Sequence, residues 1–166
     1  MLISKKMNAA LNEQVGHEFG ASLQYVEIAA YFSGEGLNRL AGHFFKQSAE
    51  ERDHALRLVK YVLDAGGEVQ IPALPAPRSQ FKTPVDAVQA AIDWELEVTK
   101  QISALTDLAI KESDHLTRET LGWFLTEQVE EVSSMENLLK LVQRAGNNLL
   151  YVENTLSGEK KESSAS

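Results

Sequence analysis

The chain of 166 residues has no cysteine, four prolines and only 7% aromatic residues, and its 16 Lys and Arg are outnumbered by 24 Asp and Glu. Without cysteine there is no disulfide framework, thiolate zinc site, iron–sulfur cluster or cysteine nucleophile. A net charge of −8 gives no electrostatic reason to seek nucleic acid or an anionic membrane, but it can attract cations. No apolar run reaches the roughly 18 residues of a membrane span. The N-terminus lacks the apolar stretch of a signal peptide, because Asn8, Asn12 and Glu13 follow the first residues directly. The expectation is one cytoplasmic domain, long enough to bury a core, with neither nucleic acid nor membrane as partner.

Glycine and proline, though few, mark the boundaries of long segments with three- and four-residue apolar spacing. A first helix is expected from about Ser4 to Phe32, before Ser33-Gly34-Glu35-Gly36, and a second from about Asn38 to Ala65, before Gly66-Gly67. Pro72, Pro75 and Pro77 mark an irregular connection. Thr83 as N-cap, Pro84 at the first helical position and Asp86 near the positive helix end open a third helix that runs to about Glu112. Ser113 or Asp114 can cap a fourth, which ends at Ala145 before Gly146. Leu149 to Leu156 reads as a short fifth helix. The domain is thus expected over residues 1–156, with 157–166 a disordered polar tail. No strand pattern appears, so the fold class is all-α. Short turns make helices one and two, and three and four, antiparallel hairpins. The 67–83 connection can stretch past about 50 Å, against about 42 Å for a 28-residue helix. It can therefore cross the whole bundle and leave helix three parallel to helix two.

The face that each helix should bury is apolar at both ends and interrupted in the middle. The stripes read Leu11, Val15, Glu18, Ser22, Tyr25, Ala29; then Leu40, Phe44, Gln47, Glu51, His54, Leu58, Tyr61, Ala65. The third and fourth read Val88, Ala91, Glu95, Val98, Ile102, Leu105, Ala109 and Leu121, Phe124, Gln128, Glu131, Met135, Leu138, Val142. Glu18, Glu51, Glu95 and Glu131 fall near the helix midpoints, which puts them at nearly one height inside the bundle.

Four ionised carboxylates cannot share a buried volume unaided, because burial and mutual repulsion both penalise the charge. No Lys or Arg lies on these faces to neutralise them. Protonation would relieve the strain, whereas bound divalent cations would use it. Oxygen ligands with one imidazole favour iron or manganese over calcium. His54, three residues after Glu51 on one helical face, supplies that imidazole. Glu-x-x-His is common on charged helices; its weight here comes from the four-helix constellation. The alternative is a bundle whose mid-helix carboxylates face solvent.

Other candidates carry less chemistry. His17 and His115 read as solvated surface residues, and Trp94 and Trp123 as packing. His43 could be a satisfied polar contact or line a pore. Tyr25, two turns after Glu18, could hydrogen-bond a ligand or simply pack. Glu50, Glu127 and Glu130 flank the central residues on a more outward face, where a charge cluster is usually solvated.

The ordered set Leu11-Asn12-Glu13-Gln14-x-x-x-Glu18, Tyr25, Glu50-Glu51-Arg52-Asp53-His54, Glu95 and Trp123-x-x-x-Glu127-Gln128-x-Glu130-Glu131 resembles the bacterial non-haem ferritins, over residues 4 to 156. The resemblance implies a ferritin-like four-helix bundle with one long crossover and a short fifth helix. It also implies a ferroxidase that oxidises Fe(II) with O2 or H2O2 at a diiron centre. Glu18 and His54 would hold one iron, Glu51 would bridge, Glu95 and Glu131 would hold the second, and Gln128 lies close by. Tyr25 would support the centre by a hydrogen bond or as an electron donor. A third iron site would use Glu50, Glu127, Glu130 and Glu131. The subunits would form a hollow 24-mer shell around a ferric mineral, with the fifth helix at the four-fold contacts.

Bacterioferritins resemble the chain too, but they carry a second Glu-x-x-His where Gln128-x-x-Glu131 stands. They also carry a haem-binding methionine where Arg52 stands, so no haem is expected. Two other classes stay open: a non-storage diiron oxidase or peroxidase in a small oligomer, and a purely structural or partner-binding bundle.

Overall fold

A computed structural model describes residues 1–162. It contains α1 (Lys5–Gly34), α2 (Asn38–Asp64), α3 (Pro84–Lys111), α4 (His115–Ala145) and α5 (Leu150–Glu162), with no strand among the described residues. The caps follow from the local sequence. Ser4 accepts from the Met7 N–H at 2.9 Å, Thr83 from the Asp86 N–H at 3.1 Å, and Asp114 from the Thr117 N–H at 2.9 Å. Of the two candidate caps for α4 it is Asp114 that acts; Ser113 has φ 55° and belongs to the turn that ends α3.

The fifth helix departs from expectation. It runs past Leu156 to Glu162, so 157–162 are helical where a disordered tail was expected. Polarity is no barrier to helix, and Glu159, Lys160, Lys161 and Glu162 are good helix formers. The rest of the expected tail, 163–166, lies outside the described residues. α5 is also tied to the bundle. α2 has no side-chain cap of its own at Leu37, and the Glu153 carboxylate of α5 takes its place, accepting from the Arg39 and Leu40 N–H groups at 2.9–3.0 Å.

The core gives the topology. One apolar cluster gathers Tyr25, Ile28 and Phe32 from the end of α1, Leu40 and Phe44 from the start of α2, Val88 and Ala91 from the start of α3, and Met135, Leu138 and Val142 from the end of α4. A second gathers Met7, Leu11 and Val15, then Leu58 and Val62, then Ile102 and Leu105, then Leu121 and Phe124, from the opposite ends of the same helices. Hence α1 is antiparallel to α2, α3 is antiparallel to α4, and α3 runs parallel to α2. The mid-helix carboxylates lie between two apolar plugs.

The 65–83 crossover is laid along α1 by amide side chains. Asn12 donates to the Glu68 carbonyl at 2.8 Å and accepts from the Gln70 N–H at 2.7 Å; Gln24 donates to the Arg78 carbonyl at 2.8 Å and accepts from its N–H at 2.9 Å. Midway, Gly16 lets the chain approach so closely that a Cβ there would lie 2.5 Å from Cγ of Pro72. Gly16→Val is therefore expected to lose about 1–3 kcal/mol through overpacking, despite better helix propensity. Gly122→Ala, where nothing lies within 4 Å of the added Cβ, is expected to gain about 0.5–1 kcal/mol. Urea unfolding of both variants checks this; an unchanged Gly16→Val midpoint would contradict the close approach.

Candidate metal centre

Between the two plugs the stripes converge as their spacing requires. Glu18, Glu51 and Glu95 are 1% exposed, and Glu131 and His54 are 7% exposed. They form two groups of donor atoms. One ligand atom each from Glu18, Glu51 and His54 lies within 4.8 Å of the others, and the same holds for Glu51, Glu95 and Glu131. Glu51 belongs to both. The alternative in which the mid-helix carboxylates face solvent is thereby removed.

Neutral donors orient these carboxylates. Tyr25 donates its hydroxyl to Glu95 Oε1, and the Gln128 amide donates to Glu95 Oε2 at 3.1 Å and to Thr99 Oγ1 at 3.1 Å. The Gln14 amide donates to Glu18 Oε1 at 2.9 Å. His54 Nδ1 lies 3.3 Å from Glu51 Oε2. Glu18 Oε2 and Glu51 Oε1, both buried, have no hydrogen-bond partner. Buried carboxylate oxygens seldom go unpaired, and these two belong to the group that also offers the imidazole. A divalent cation there would satisfy both, so the donor set fits a metal of mixed oxygen and nitrogen preference.

The electrostatics show the cost of the arrangement without such an ion. Burial, then the charge of Glu51, pushes Glu18 well above the ordinary carboxylate value. Burial, then the charges of Glu95 and Glu131, does the same to Glu51. Glu95 is raised by burial against the hydrogen bonds from Tyr25 and Gln128. Glu131 is raised by burial and by the charge of Glu95 to about 7. Burial and the neighbouring carboxylates also hold Tyr25 well above its ordinary value, which keeps its hydroxyl protonated and able to donate.

The flanking residues divide. Glu50 and Glu127 are half-buried and their charges reach Glu131, whereas Glu130 is exposed. Glu50 accepts from Gln47 Nε2 at 2.5 Å and pairs with Lys46 at 3.3 Å. His17 and His115 are exposed, as expected. His43 is not a satisfied polar contact: its Nε2 is buried without a partner, burial lowers its pKa, and it lines a surface cavity of about 520 Å³ with Glu130, Ser133 and Ser134. Trp123 packs edge-on to His54 with ring centroids 5.4 Å apart, under the Arg57 guanidinium at 3.8 Å. Trp94 covers Gly20.

Thr99 was not singled out in the sequence, and Gln14 stood there only within the motif that precedes Glu18, with no role assigned. Both had a signal, since each lies four residues from a central carboxylate on the same helical face, Gln14 before Glu18 and Thr99 after Glu95.

A pH effect follows from the raised carboxylates. An acid whose folded pKa lies above its unfolded value stabilises the fold fully below the unfolded value and loses that contribution as pH rises through the folded one. For Glu131 the loss runs from about pH 4.5 to about pH 7. In chelator, Glu131→Gln is expected to match the wild type near pH 4 and to exceed it at pH 8 by about 1–3 kcal/mol. Added Zn²⁺ at pH 8 should reverse that order. Thermal denaturation at the two pH values checks this, and a gap independent of pH would contradict it.

Known proteins share this architecture. A ferritin-like domain model matches residues 8–145. Ferritin BfrB of Mycolicibacterium smegmatis is 45% identical over 157 residues, covering 95% of this chain and 87% of its own length. The bacterial non-heme ferritin of Staphylococcus aureus is 34% identical over 153 residues, covering 91% and 92%. Among solved structures, the open pore ferritin from the hyperthermophilic archaeon Archaeoglobus fulgidus superposes with a TM-score of 0.91 at 33% identity, over 94% of this chain and 97% of that one. The matched stretch contains every residue of the buried cluster, and the chain belongs to the ferritin-like family.

Proposed function

We propose that this chain is an iron-storage subunit that oxidises Fe(II) at the buried centre and deposits it as a ferric oxyhydroxide mineral inside a hollow 24-mer shell in the cytoplasm. The observation that carries the reading is Glu51, whose carboxylate belongs to both groups of donor atoms. A shared carboxylate sets two ions a few ångströms apart, the spacing at which two metals act on one small molecule.

Iron is the substrate. Glu18 and His54 hold one Fe(II), Glu95 and Glu131 the other, and Glu51 spans both. Each ion gives up one electron. With two protons, the pair reduces O2 to H2O2, or H2O2 to two waters. The carboxylates favour the ferric product because hard anionic oxygen binds the more highly charged ion more tightly. Tyr25 and Gln128 keep Glu95 oriented and neutralise none of its charge, so the negative potential that draws the ions is retained. Hydrolysis of Fe(III) releases protons and drives mineral growth. Glu50, Glu127 and Glu130, beside Glu131 on the outward face, would take a third iron on its way to the store. No haem takes part in this reading.

Assembly is supported by the length match to the ferritins and by α5, whose outer residues Leu150 and Tyr151 are exposed apolar surface on the isolated subunit.

Two outcomes test the proposal. The protein should elute at about 440 kDa, twenty-four times its 18.4 kDa mass; elution below about 100 kDa would contradict the shell. Fe(II) added aerobically should be oxidised rapidly, followed by near-ultraviolet absorbance. Glu51→Ala should fall by more than the ~10–100-fold typical of lost outer contacts to metal ligands; equal rates would sink the ferroxidase reading.

A further inference from the structure

We infer that Gln14 is a positioning residue for the metal centre: its amide fixes Glu18 through Oε1 and so presents Glu18 Oε2 to the ion that Glu51 and His54 also reach. The inference rests on the centre binding metal, as proposed above.

Gln14 is 2% exposed and sits on α1 between Leu11 and Val15, both fully buried in the apolar cluster at that end of the bundle. A buried amide is costly without a hydrogen bond, and an apolar residue would fill this position at less cost. Its Nε2 donates to Glu18 Oε1 at 2.9 Å, one helical turn away and within the same buried region. That leaves the other oxygen of the carboxylate, buried and unpartnered, within the Glu18, Glu51 and His54 group.

The other terminal carboxylate shows what Glu18 would lack without Gln14. Glu95 is held on both oxygens by neutral donors from two other helices, Tyr25 of α1 and Gln128 of α4. Glu18 accepts instead from Gln14, on its own helix. Without that donor Glu18 would have more freedom about its side-chain bonds, to be frozen when an ion binds. A donor already seated on one oxygen freezes them beforehand. The gain therefore appears in metal affinity, and in the KM for Fe(II) more than in kcat.

The test is a double-mutant cycle read by Co²⁺ titration, with visible absorption reporting the ligand field. Gln14→Leu, which keeps the volume and removes the donor, should weaken one Co²⁺ step by roughly 10–100-fold and raise the KM for Fe(II) more than it lowers kcat. In a Glu18→Gln background, Gln14→Leu should cause no further loss, because the carboxylate through which it acts is gone. A Gln14→Leu protein that binds Co²⁺ like the wild type would overturn the role of Gln14 and leave the centre standing. So would an equal loss in both backgrounds, which would mark a general packing defect. A wild-type protein that binds no stoichiometric Co²⁺ would overturn the metal-centre reading and this inference together.

Discussion

The structure is organised around a repulsion that it does not resolve by itself. Glu18, Glu51, Glu95 and Glu131 bring four carboxylates into one buried space, and no Lys or Arg is among the residues that hydrogen-bond to them. A cation from the side chains would be the ordinary remedy for a buried carboxylate. Here Gln14, Tyr25 and Gln128 orient Glu18 and Glu95 without bringing a charge of their own, and His54 Nδ1 lies 3.3 Å from Glu51. The fold tolerates an interior in which burial and mutual repulsion raise all four carboxylates above their ordinary values, a cost that two divalent ions, as proposed above, would relieve. On that proposal the site trades stability for function, as functional sites commonly do.

Much of the remaining architecture serves that space. Two apolar clusters close it above and below, each drawing on all four long helices. Between α2 and α3 the chain crosses from one end of the bundle to the other, which sets α3 parallel to α2. That explains a proline-rich connection pinned by Asn12 and Gln24 and passing over Gly16. Glu153 then links α5 to the open end of α2, which places the last helix against the bundle.

Most of this was legible in the sequence because long amphipathic helices write their buried face as a simple period. The residues of the third and fourth stripes, from Val88 to Ala109 and from Leu121 to Val142, are all buried, and the interruptions at Glu95 and Glu131 fall where the helix midpoints put them. The end of α5 was less legible, since the residues after Leu156 are polar and charged, and such residues suit a helix as well as a tail. The contacts of Gln14 and Thr99 were missed for a different reason. Their role depends on which way a carboxylate turns, and a turned side chain leaves no mark on hydrophobic spacing. The unpaired nitrogen of His43 was equally invisible, because a histidine on a helix face reads the same whether or not a partner reaches it.

The most direct measurement is anomalous diffraction from crystals soaked anaerobically in ferrous salt. The account predicts two iron peaks per subunit about 3.5–4 Å apart, one beside Glu18 and His54, the other beside Glu95 and Glu131, with the Glu51 carboxylate between them. A bundle interior without anomalous density, or iron confined to the exposed acidic surface, would contradict it.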